Sequence, residues 1–228
     1  MSELDALRNE IAELRSRVQE LESALDGQRA LEHLKVERLD VQDSNGTVRL
    51  ALANGSRSPD TVIAGEVLVP GRERPGIVFF NDEGSECGGL VIVGRQDETG
   101  VTSGGLLAFD RYNQDQVVAV MYEEDNGSYA AGIRLVDRPE LSLVDVVREA
   151  HSINQMPEGT EKDAVSEEFY RQAPFGQMRL FLGRDRDASA KLEMADAAGR
   201  PRLRFVVPAE GEPVIEVLDT DGAVQREI

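Results

Sequence analysis

Two histidines, one cysteine and scattered carboxylates are what this chain offers to acid–base or nucleophilic chemistry. His151 is the better-placed general base, because it lies where strand-like text is interrupted and because histidine titrates near neutrality. No Ser or Cys stands at a spacing that marks it as a nucleophile for that base. Asp110-Arg111-Tyr112 sets an acid, a base and an aromatic on one turn. His151, Tyr112 and Asp110 are therefore the candidate catalytic set of an enzyme acting on a small molecule. The competing reading of the tripeptide is a capped turn with a surface ion pair. His33 stands just after the N-terminal helix, and two histidines exclude a three-histidine zinc site within one chain, leaving only one built across a three-fold axis.

Cys87 lies in Glu86-Cys87-Gly88-Gly89 with Glu83 and Asp82 close by, and carboxylates raise a thiol pKa, so a structural or incidental cysteine is expected. The doubled glycines at 88–89 and 104–105 lack the Lys and Ser or Thr of a phosphate-binding loop. They open strands rather than helices, so close strand packing or a bulge is expected of them. Glu123-Glu124-Asp125 and Asp185-Arg186-Asp187 do not fit the spacing of a calcium-binding loop. No metal site and no cofactor are expected.

The element with the clearest pattern is the N-terminus. Leu4, Leu7, Ile11, Leu14, Val18, Leu21 and Leu25 recur at alternating steps of three and four, the a and d positions of a coiled coil. Glu3 with Arg8, Glu10 with Arg15, and Arg17 with Glu22 then form attractive g-to-e pairs between parallel, in-register copies. An antiparallel pair would set Glu10 near Glu10. The alternative is one amphipathic helix packed on its own domain. Ile and Val at a over Leu at d lean to two strands, but analogy with coil-led β assemblies favours a trimer.

After residue 30 the period changes from helical to alternating. Val48, Leu50 and Leu52 alternate with polar neighbours after the turn Asp43-Ser44-Asn45-Gly46. The pattern Gly, apolar strand, Asp recurs from Gly76, Gly105 and Gly132, and Asp196-Ala197-Ala198-Gly199 and Asp219-Thr220-Asp221-Gly222 punctuate the C-terminal part. One segment of about 139–176 breaks this text. Leu141–Val147 reads as strand or helix, a helix there must stop by Met156-Pro157, and Thr160 caps a short polar helix over Glu161–Gln172.

The stretch from Gly76 through Phe80-Asn81-Asp82-Glu83-Gly84, on to Gly88-Gly89-Leu90 and then Gly104-Gly105-Leu106 to Phe109-Asp110-Arg111-Tyr112, resembles a group of uncharacterised bacterial proteins. Those proteins place a short helix before a β-rich body. The resemblance implies a β-rich fold and carries no assigned activity or site residues.

The reading is a mainly β protein of two parts: a parallel coiled-coil oligomerisation helix over 1–30, and over 31–228 antiparallel β-hairpin repeats, barrel-, prism- or sandwich-like, with a partly helical insertion. Net charge of −18 opposes nucleic acid and anionic membrane as partners, since both need clustered Lys and Arg. A single cysteine asks for no oxidising compartment, and with no signal-like or bilayer-spanning run the expected location is cytoplasmic. Two functions follow: a homo-oligomeric structural or binding module whose coil sets valency and whose β body presents a recognition surface, or the small-molecule enzyme with His151 as general acid or base. A virion or fibre protein is a third, minor alternative.

Overall fold

The computed structural model describes residues 3–26, 33–71, 73–172 and 174–227. The chain divides into two compact units, 1–36 and 37–228. In the first, α1 spans Glu3–Asp26. Its Glu, Leu, Arg and Ala residues are strong helix formers, and neither Gly nor Pro interrupts them. Leu7, Ile11, Leu14 and Val18 make an apolar stripe on which each residue is 46–56% exposed. The side chains of Leu4, Leu21 and Leu25 lie outside the described residues.

The second unit runs β1 (Arg38–Gln42), β2 (Val48–Ala53), β3 (Thr61–Ile63), β4 (Glu66–Val69), β5 (Gly76–Phe80), β6 (Glu86–Asp97), β7 (Gly100–Asp110), β8 (Gln116–Asp125), β9 (Ser128–Asp137), α2 (Leu143–Asn154), α3 (Thr160–Arg171), β10 (Gln177–Arg184), β11 (Ala190–Ala195), β12 (Pro201–Val207), β13 (Val214–Leu218) and β14 (Val224–Glu227). All strands but β3 and β4 join one antiparallel sheet in chain order, and β3 and β4 form a separate two-stranded ribbon. The expectation of a mainly β chain with an N-terminal helix holds. Among the described residues β1 and β14 are the two edges of the sheet, so within a single chain it is open and not a barrel.

Local chemistry closes the hairpins. The turns Asp43–Thr47, Asn81–Ser85, Asp185–Ser189, Asp196–Arg200 and Asp219–Ala223 share one geometry. The first N–H donates to the fifth carbonyl at 2.8–2.9 Å, and the fourth N–H returns to the first carbonyl at 2.9–3.3 Å. The fourth residue takes a positive φ, and it is glycine in four of the five turns, with Ala188 the exception. At Asn81, Asp196 and Asp219 the side-chain oxygen also accepts two backbone N–H groups of its own turn. Asp196 and Asp219 are therefore used as turn caps.

Two elements depart from the sequence reading or resolve it. The ambiguous Leu141–Val147 run begins α2, capped by the Ser142 hydroxyl accepting from the Asp145 N–H at 3.3 Å. Leu143, Val144, Val146 and Ile153 are buried, a helical spacing that a strand would have split between two faces. At α3 the expected capping role of Thr160 is corrected: Thr160 is the first helical residue, and Gly159 precedes it with no side-chain cap bond.

The core lies on one side of the sheet. Ala51, Val78 and Phe80 form a buried cluster there. Ile63 and Leu68 of the ribbon pack with Leu143, Val144, Val147 and Phe175, and Val146 and Ile153 continue to Phe169 of α3. The Ala64 N–H donates to the Ser85 hydroxyl at 2.9 Å, tying the ribbon to the β5–β6 turn. Small residues let strands approach closely on this side. Gly132 and Gly183 are ladder partners, and a Cβ on Gly183 would lie 2.6 Å from the Gly132 Cα.

Gly183→Ala is expected to destabilise the fold by about 1–3 kcal/mol through overpacking, whereas Gly94→Ala, whose Cβ would meet only the Ser103 hydroxyl at 3.8 Å, leaves the urea midpoint unchanged. Asp196 supplies a pH signature. Hydrogen bonding from Arg200 holds its carboxyl at about 2, below the ordinary value of about 3.9. Its contribution is complete above the unfolded pKa and is lost as pH falls through about 2. Asp196→Ala should melt earlier than the wild type at pH 7, with the gap closing towards pH 2.

Candidate interaction face

Successive side chains of a strand point to opposite faces, and ladder partners share a face. Following the register from Leu39 of β1, one row passes through Leu52, Ile77, Leu90, Leu107 and Val120. It continues through Ile133, Leu182, Leu192, Phe205 and Ile215. The neighbouring row begins at Val41 and Leu50, includes Phe79, Phe109, Val118 and Leu135, and reaches Leu203 and Val217. Gly88 is the one position in that row without an apolar side chain before Arg226 of β14. Neither row contains a charge from β1 to β13.

The face these rows make is open. Leu52, Ile92, Phe109, Val120, Leu182 and Phe205 are each 40–58% exposed, and the buried clusters of the ribbon and helices draw on none of the eleven residues of the first row. The opposite face changes character along the sheet. Over the early strands it carries the buried Ala51, Val78, Ala108, Ala119 and Met121. Over the late strands it presents Lys191, Glu193, Arg204 and Glu216, with Arg204 and Glu216 paired at 2.9 Å. The usual division of an antiparallel sheet gives one face to the core and one to solvent, and among the described residues no buried cluster lies over these rows.

One end of the open face is polar and aromatic. Tyr122 and Tyr129 stand with ring centroids 6.2 Å apart, and the Arg184 guanidinium lies 3.7 Å over the Tyr129 ring. Tyr122 donates to Glu124, which holds its phenol above the ordinary value.

The residues singled out for chemistry fall elsewhere. His151 is exposed on α2, with its Nε2 2.8 Å from the Gln155 amide nitrogen. Tyr112 is 64% exposed on the β7–β8 turn, and Asp110 ends β7. Burial pushes the Cys87 thiol up, Asp110 and then Glu86 add to that, and Arg49 opposes it, so Asp110 rather than Glu83 or Asp82 is the leading carboxylate there. His33 is exposed. Two open grooves stand out, one on α1 lined by Ile11, Leu14 and Val18 and one beside β1 and β2 lined by Arg38, Val48 and Phe80, and neither is lined by His151, Tyr112 or Asp110. Gly88 and Gly89 sit inside β6 against the backbones of Ala108 and Ile77, which is close strand packing. Among the described residues no group of three or more His, Cys, Asp or Glu could hold a metal ion, and no helix is long and apolar enough to cross a membrane.

The Asp110-Arg111-Tyr112 turn anchors the helical insertion. Arg111 donates to the Arg138 carbonyl at 3.1 Å and pairs with Glu140. The buried Gln114 amide donates to the carbonyls of Pro139 and Leu141. Arg138, with its side chain 7% exposed, donates to the Gln116 carbonyl at 2.7 Å and to Phe175, and lies 3.4 Å from Asp115. Both roots of the insertion are thereby fixed to one turn.

No protein-family model matches the chain, and no curated protein matches it.

Arg138→Ala removes a buried cation whose bonds hold both roots of the insertion. It is expected to cost about 2–3 kcal/mol, the scale of hydrogen bonds to charged groups, and to expose residues 139–176 to limited proteolysis before the rest of the body.

Proposed function

We propose that the protein is a homo-oligomeric structural or binding module, in which α1 gathers identical chains in parallel and the β body presents a recognition surface. The observation that carries this reading is the stripe of Leu7, Ile11, Leu14 and Val18, about half exposed on a helix. A lone helix with such a seam is marginal in water, and burial against copies of itself supplies the missing stabilisation. The g-to-e charge pairs favour parallel copies, and three copies are favoured over two. The insertion supports the module in a second way: α2 turns its apolar side onto the ribbon and α3, and leaves His151 at the surface.

Light scattering on the full chain at micromolar concentration should give three times 25.0 kDa. The double substitution Ile11→Asp and Val18→Asp should lower that mass or its persistence on dilution. A wild-type mass of 25.0 kDa would remove the proposal.

A further inference from the structure

We infer that the open apolar face of the twelve-stranded sheet is a second subunit contact, occupied by the same sheet of neighbouring copies. This deepens the oligomeric reading and rests on it, but it assigns the partner surface to residues that the heptads do not touch.

Size is the first argument. The two rows cross eleven strands, ten steps of about 4.8 Å, and are each about 7 Å wide, so the strip covers roughly 700 Å². That exceeds the roughly 300–600 Å² of the largest patch on an ordinary monomer and is close to the roughly 800 Å² per partner of a stable interface.

Charge is the second. The chain carries −18 overall, yet the strip carries none between β1 and β13. Identical strips can therefore meet without burying a charge, whereas the opposite face would bury Lys191, Glu193, Arg204 and Glu216 over its late strands. A basic partner, the natural complement of so acidic a protein, would find no counter-charge on the strip.

Symmetry is the third. Copies arranged about one rotation axis all turn the same face towards it, and an apolar face has no charges that a two-fold or three-fold contact would have to align. The ribbon and the helical insertion, packed on the other side, then remain outward as the recognising surfaces. Sheets closing in this way form a core that none of them has alone.

The test uses the full chain with Cys87→Ser and a single new cysteine at Val120→Cys, with Ile92→Cys as a second position on the same face and Thr220→Cys on an exposed turn as reference. Purified protein is sized by light scattering and its thiol is titrated with a maleimide. The expected result is a mass that is a multiple of 25.0 kDa, with the face cysteines modified on the order of 100-fold more slowly than the turn cysteine, because reaction waits for the interface to open. Face cysteines that react as fast as the turn cysteine in an intact oligomer would overturn the sheet contact while leaving the coil assembly standing. A mass of 25.0 kDa removes both, and in that case protected face cysteines would mean that the chain covers its own sheet. If Val120→Cys does not fold, Ile92→Cys decides.

Discussion

An antiparallel sheet tolerates water on one face only when that face is polar, because the two-residue period commits every second side chain of every strand to the same side. This constraint governs the second unit. Its ribbon is tied to the early strands and packs against α2, its late strands present charge on one side, and its aliphatic rows are left on the other. A surface of that kind is stable once something apolar meets it. The exposed stripe of α1 poses the same problem in helical form, and the proposed assembly of identical chains would cover both.

The polar machinery of the chain is spent on geometry. Asp196 and Asp219, which an acidic sequence might offer as ligands or general bases, hold their own turns closed with two backbone N–H groups each. Arg111, Gln114 and Arg138 direct their donors at the backbone carbonyls that root the insertion. At Cys87 burial and then the charge of Asp110 push the thiol up, against the needs of a nucleophile. Such a distribution suits a scaffold whose strands must be closed tightly and whose insertion must be held at a fixed place.

Much of the architecture was legible in the residues. The N-terminal helix α1, the alternation in β2, the Asp-x-x-Gly turns and the polar helix after Thr160 are local patterns, set by side-chain period and by glycine's access to positive φ. The candidate site was not legible in the same way. His151, Tyr112 and Asp110 stand out by residue type, while nothing local sets Leu52, Ile92, Phe109 and Val120 apart from core residues of a strand. Their exposure was the signal, and exposure is invisible until the covering elements are placed. Nor could the run from Leu141 to Val147 be settled locally, because its burial pattern depends on the ribbon and α3 against which α2 lies.

The sequence by itself determined where the chain turns, which segments alternate and which segment carries a helical seam, because those features depend on neighbours within a few residues. Only the tertiary structure decided the register that lines Leu39 through Ile215 into one row, and which side of the sheet the ribbon and helices take. Register is a long-range choice: a slip of one residue in any pairing would send that strand's apolar side chains to the opposite face. An unbroken row over eleven strands is therefore a property of the whole ladder, and no strand contains it alone.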